Sequence, residues 1–115
     1  MTDSPHVNMA DLLRHDSLPN APGVYRIFNT ATGTAYIGAA TRIRNRFNHH
    51  RGRLRAGKHH NARLQSEWHE YGASAFVFEV IEMVAAAELA EHETAYLLTG
   101  RGAPRLYNIV LTGKR

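Results

Sequence analysis

The chain predicts an α+β domain, with a small three-stranded antiparallel sheet built on a central β-hairpin and flanked by about three helices. Three observations carry this expectation. Two short runs rich in strand-forming residues, 23–28 and 35–39, flank Asn29-Thr30-Ala31-Thr32-Gly33, which supplies turn chemistry. Three later segments place apolar residues at helical spacing, and Gly57 and Gly72 stand as stops to the first two. A further run, Phe76-Val77-Phe78-Glu79-Val80-Ile81-Glu82, reads as the third strand.

The elements follow in order. Residues 1–18 form a lead-in, in which residues 10–15 have the pattern for one or two helical turns. Pro19 and Pro22 then push the chain extended. In the first strand Val24 and Phe28 alternate with Tyr25 and Ile27, so both faces are apolar and both are expected to be covered. The domain proper is expected over residues 19–111, with 112–115 a tail. Thr41 is placed to cap a first helix ending near Ala56, with Gly57 as its stop. Ile43, Phe47 and Leu54 make its apolar stripe. His50 occupies the middle of that stripe, and Arg46 borders it.

Asn61 is placed to cap a second helix that runs to Tyr71 and stops at Gly72, with Leu64, Trp68 and Tyr71 as its buried face. A third helix over residues 85–99 carries Ala86, Leu89, Ala90, Tyr96 and Leu97 on one face. Glu93 lies on that same face, while Glu88 and Glu91 point elsewhere. Residues 106–111 read as a short extended segment containing Asn108.

Composition narrows the function. At 115 residues the chain is one domain with one modest core, and its 43% hydrophobic and 21% charged content is that of an ordinary globular protein. The absence of cysteine excludes a disulfide framework, a thiolate zinc site and a cysteine nucleophile. No apolar run suggests a signal peptide or a membrane span, so the default compartment is the cytoplasm. The net charge of +4 hides a strong segregation. Residues 17–66 hold no acid but carry Arg26, Arg42, Arg44, Arg46, Arg51, Arg53, Arg55, Lys58 and Arg63, whereas residues 67–93 hold seven acids and no Lys or Arg. Such segregation makes either a solvated basic face or a surface for a polyanion.

Arg46, His50 and Glu93 break the hydrophobic pattern. Charged groups on apolar faces are paired or functional, so these three make either an ion pair with a hydrogen-bonded core histidine or a site. A zinc cluster of His49, His50, His59 and His60 is disfavoured, because adjacent histidines on a helix diverge and no ligand spacing recurs.

These residues also spell a pattern. Gly23-Val24-Tyr25, Tyr36-Ile37-Gly38, Arg46 ten residues later, His50, Glu93 within Glu93-Thr94-Ala95-Tyr96-Leu97, and Tyr107-Asn108-Ile109 resemble, in order and spacing, the GIY-YIG nuclease superfamily. Asn61-Ala62-Arg63-Leu64-Gln65, Trp68, Tyr71-Gly72 and Phe76 are similar to the middle of its small stand-alone members. Valine replaces the middle isoleucine of the first motif, and Ala39 and Ala40 follow the second where lysine or serine is common.

The resemblance implies hydrolysis of DNA phosphodiesters with one divalent cation, Mg²⁺ or Mn²⁺, held by Glu93. It implies Tyr25 as general base or base-orienting group and Tyr36 positioning the water or phosphate. Arg46 would lie on the scissile phosphate, and His50 would assist proton transfer or bind phosphate. The choice between Tyr25 and His50 as base stays open. Gly23, Gly38 and Asn108 are supporting residues, and Arg42, Lys58 and Arg63 are candidate contacts to the nucleic-acid backbone. The partner is DNA of unspecified form, and the assembly a monomer or homodimer. The competing expectations are a non-catalytic nucleic-acid-binding module, or a catalytic subunit whose specificity comes from a partner.

Overall fold

A computed structural model describes residues 4–11, 17–101 and 103–108. The strands are β1 (His6–Asn8), β2 (Gly23–Asn29), β3 (Thr34–Ala40), β4 (Phe76–Met83) and β5 (Arg105–Leu106). The helices are α1 (Ile43–Ala56), α2 (Ala62–Tyr71) and α3 (Leu89–Thr99). The three expected strands and three helices are present, but the sheet has five strands, in the order β1-β4-β2-β3-β5. All neighbours are antiparallel except β3 and β5, which are parallel. The two additions are edge strands of three and two residues. Pairing with β4 and β3 defines them, and no periodicity of their own does.

The hairpin forms because Asn29 organises its turn. Its carbonyl accepts from Gly33 N at 2.8 Å, its side-chain Oδ1 accepts from Ala31 N at 2.9 Å, and Gly33 adopts φ 77°. The sheet is covered on both faces, as the alternation in β2 requires. One face carries Tyr25, Ile27, Phe76 and Phe78, packed under Phe47 and Leu54 of α1 and Leu64 and Trp68 of α2. The other carries Val24, Ala35 and Ile37, packed against Leu89 and Tyr96 of α3. Val7, Met9 and Leu18, from the stretch before β2, are buried in the first of these cores.

Several local expectations need correction. Thr41 does not cap α1, which starts at Ile43. The chain before β2 satisfies its first amides instead: Ile43 N donates to Ala21 O at 3.2 Å and Asn45 N to Asn20 Oδ1 at 3.3 Å. Tyr71 is exposed, and Gln65 is the third buried residue of α2 beside Leu64 and Trp68. A 3₁₀ turn, Ala86–Glu88, precedes α3, and Ala86 and Ala90 are exposed. The α1 stop at Gly57 (φ 76°) and the α2 cap, Asn61 Oδ1 accepting from Leu64 N at 3.0 Å, are as expected. The anticipated helical turns over residues 10–15 and the extended segment beyond Asn108 fall mostly outside the described residues.

Candidate active site

Cross-strand register builds the floor of the site. Tyr25 pairs with Gly38 and Ile27 with Tyr36, so both tyrosines stand on the α1 face of the sheet. At Tyr25 the β2–β4 register slips, a bulge that redirects the strand where the phenol must point. The ring then lies flat across Gly38. A Cβ at that position would overlap Tyr25 Oη and Cζ and come within 3.0 Å of Cε1. At Gly23 a Cβ would meet Glu82 O at 2.8 Å. The glycines of both motifs are therefore steric requirements, one for the close approach of the neighbouring strand β4 and one for the phenol itself.

Tyr25 is only 1% exposed and stacks on Phe78 with ring centroids 4.8 Å apart. Its hydroxyl lies 2.6 Å from His50 Nε2. Burial, and then the neighbouring Tyr36, push its pKa upward, while the Arg46 guanidinium within hydrogen-bonding reach pulls it back. Tyr36 is half-buried and bonds His60 Nε2 through its hydroxyl at 2.9 Å. Burial, and then the charge of Glu93, raise its pKa.

His50 fills its slot in the α1 stripe, buried with Ile43, Phe47 and Leu54. Burial first, and then the neighbouring His59 and Arg46, depress its pKa to about 3. Its Nδ1 lies 2.8 Å from His59 Nε2, so both ring nitrogens are engaged and phosphate binding is closed to it.

Arg46 is exposed. It lines a cleft of about 440 Å³ together with Tyr36, Arg42, His49, His50 and His60. Glu93 stands on α3 and is partly exposed; burial raises its pKa and Arg46 lowers it. Its charge reaches Tyr25, Tyr36 and Arg46, so those four groups share one electrostatic neighbourhood. Asn108 lies at the other edge of β3. Its Oδ1 accepts from Ile37 N and its Nδ2 donates to Ile37 O, both at 2.7 Å. A side-chain amide thus stands in for a strand partner and clamps the backbone between Tyr36 and Gly38.

The anticipated backbone contacts divide. Arg42 lines the cleft. Lys58 is exposed in the loop after α1. Arg63 is directed towards Glu67 at 3.4 Å and lies over the Tyr107 ring at 5.6 Å, away from the cleft. It borders a second cavity, of about 890 Å³, between the start of α2 and the end of α3.

Sequence reasoning weighed His59 and His60 only as zinc ligands, set that reading aside, and gave them no other role in the site. Both lie in the loop between Gly57 and Asn61, where no periodicity assigns a face. Beyond that histidine grouping, their signal is position, immediately before a helix cap.

A divalent cation fits the donors only in a sparse way. Among the described residues no cluster of three or more His, Asp or Glu is arranged to hold a metal. Glu93 offers a single, partly exposed carboxylate, which suits a cation that keeps most of its own water. Among the described residues, no helix is long and apolar enough to cross a membrane.

A family model described as the GIY-YIG catalytic domain matches residues 21–108. Among solved structures, the catalytic domain of homing endonuclease I-TevI superposes with a TM-score of 0.63 at 24% identity, covering 68% of this chain and 86% of that one. A mutant of the catalytic domain of intron endonuclease I-TevI gives 0.62 at 24% identity, covering 68% and 81%. No curated protein sequence matches this chain.

Proposed function

The chain belongs to the GIY-YIG family, and from that premise we propose that it is a DNA endonuclease that hydrolyses phosphodiester bonds with the help of one divalent cation. The observation that carries this reading is the basic cleft lined by Tyr36, Arg42, Arg46 and His50, with Tyr25 hydrogen-bonded to that His50 and the charge of Glu93 bearing on Tyr25, Tyr36 and Arg46.

Each side chain has a task that its surroundings support. Tyr25 Oη is faced by His50 and by Arg46, two nitrogen-bearing groups that favour negative charge on the phenol oxygen. It activates the attacking water. Burial opposes that charge, so the two polar neighbours offset part of the desolvation cost. Tyr36, open to the cleft, orients the water or the phosphate. Arg46 presents a planar fork to the scissile phosphate, a shape suited to two oxygens at once. Glu93 would hold the cation, which when bound supplies charge stabilisation at the phosphate. Arg42 stands beside Arg46 on the cleft wall to take an adjoining phosphate.

The test is incubation of the protein with single-stranded, duplex and flapped oligonucleotides, with and without Mn²⁺, followed by mapping of the ends. Cation-dependent cleavage is expected, abolished by Glu93→Ala or Arg46→Ala while the circular dichroism spectrum stays near wild type. Intact DNA in every form, with binding retained, would instead identify a non-catalytic nucleic-acid-binding module.

A further inference from the structure

Behind Tyr25 runs a line of hydrogen bonds that the reaction above does not use. Tyr25 Oη meets His50 Nε2 at 2.6 Å, His50 Nδ1 meets His59 Nε2 at 2.8 Å, and His59 Nδ1 meets the backbone N of Asn61 at 3.0 Å. The last of these groups fixes the rest. A backbone amide only donates, so His59 Nδ1 carries no proton. A neutral imidazole has one N–H, which therefore sits on His59 Nε2. That N–H points at His50 Nδ1, which must accept, so the His50 proton sits on Nε2 and points at Tyr25 Oη.

We infer that His59 is a positioning residue that fixes the tautomer of His50, so that His50 donates to Tyr25 and the hydroxyl hydrogen of Tyr25 is directed away from His50. His50 then has no vacant nitrogen with which to take the Tyr25 proton. It supports the phenol oxygen as a donor, and the Tyr25 proton must leave by a route other than His50. In the terms of the nuclease reading, on which this consequence rests, the base is Tyr25 and not His50.

The surroundings keep both rings singly protonated. Among the described residues, His50 is faced by Tyr25 and Tyr36 from the sheet, by Arg46 and His49 from its own helix, and by His59 and His60 from the loop, and by no carboxylate. Burial, and then His59 and Arg46, put His50 at about 3; burial, and then His60, His49 and Arg53, put His59 at about 4.

The loop is pinned as well. Gln65 Oε1 accepts from His59 N at 2.9 Å, and Gln65 Nε2 donates to Leu54 O at 3.0 Å. Asn61 Nδ2 donates to Tyr107 O at 3.0 Å. The burial of Gln65 on α2 follows from this arrangement.

The decisive measurement is the ring-nitrogen NMR of His50 and His59 in the full chain at pH 7. Both are expected as Nε2–H tautomers; an Nδ1–H form of either ring, or a cationic His50, overturns the inference. Two variants carry the test further. In His59→Gln the amide can donate to His50 Nδ1 and preserve the direction. In His59→Glu the carboxylate can only accept, and His50 is expected to turn over to Nδ1–H. Urea unfolding checks that both fold. With cleavage as readout, His59→Gln is expected to keep activity within about tenfold. His59→Glu should lose 10–100-fold or more, the range typical of supporting partners that orient a functional group. Equal behaviour of the two variants in both readouts overturns the inference. Should the tautomers be as expected while wild-type protein cleaves nothing, the nuclease reading fails and the hydrogen-bond direction stands.

Discussion

Replacing Gly38 by alanine tests the steric core of the site with a single methyl. That methyl overlaps the Oη and Cζ of Tyr25. Non-bonded carbons settle at about 3.5–4.0 Å, so the ring has to retreat by about an ångström. Phe78 blocks the retreat from behind, stacked at 4.8 Å between centroids, and the 2.6 Å bond to His50 stretches as the ring leaves. Overpacking a filled core costs about 1–3 kcal/mol, and weakening a buried hydrogen bond adds about 1 kcal/mol. The variant is therefore expected to be about 2–4 kcal/mol less stable in urea unfolding followed by circular dichroism. A small domain with roughly 5–15 kcal/mol of stability survives this loss. Cleavage should fall by about 100-fold, because an ångström of misplacement at a reacting group has that order of effect. Gly52 provides the opposite-signed control. It lies inside α1 with nothing within 4 Å of a Cβ, so Gly52→Ala is expected to gain about 0.5–1 kcal/mol and leave cleavage unchanged. A Gly38→Ala protein as stable and active as wild type would refute the placement of the phenol over the second strand.

Further outcomes follow from other parts of the site. His50 and His59 are buried with pKa values near 3 and 4, below the ordinary imidazole value of about 6.5. As pH falls the unfolded chain takes up these protons first, so their contribution is whole above about pH 6.5 and drains away towards pH 4. At 1.36 kcal/mol per unit, the two together remove at most about 4 kcal/mol between pH 6.5 and pH 5. A urea midpoint that stays flat over that range contradicts the buried neutral pair. Asn108→Ala leaves Ile37 N and O without the amide that holds them, and is expected to cost about 1–3 kcal/mol and to slow cleavage by loosening Tyr36. Asn108→Asp keeps an acceptor for Ile37 N but has no donor for Ile37 O, so comparing the two by urea unfolding separates the halves of the clamp.

How much of this was legible in the chain depends on how local each signal is. The hairpin turn at Asn29 and Gly33, the α2 cap at Asn61 and the α1 stop at Gly57 are settled by residues a few positions apart, and the sequence identifies each. So is the buried stripe of α1, His50 included. The strands His6–Asn8 and Arg105–Leu106 exist only because β4 and β3 offer them a partner, which no window of sequence displays. Thr41 has the chemistry of a cap, but Asn20 and Ala21 reach the helix start from across the domain. Gln65 displaced Tyr71 from the buried face of α2 because the loop before the helix needs an amide that both donates and accepts. His59 was missed for the same reason, since its role is set by a bond to His50 nine residues away and by the Asn61 amide.

The placement of Tyr25 has a consequence for anyone who would engineer this domain. The phenol is among the largest fully buried side chains of the protein and shares its cluster with Phe47, Phe76 and Phe78. Repacking that cluster for thermal tolerance would retune the basicity of the phenol, since the atoms that exclude water from the interior are the same atoms that set its proton affinity. On the proposed reaction, shelf life and turnover would thus be traits of one set of side chains. Variant libraries that aim to separate them will find more freedom at exposed positions such as Gly52 and Leu98 than anywhere in the aromatic cluster.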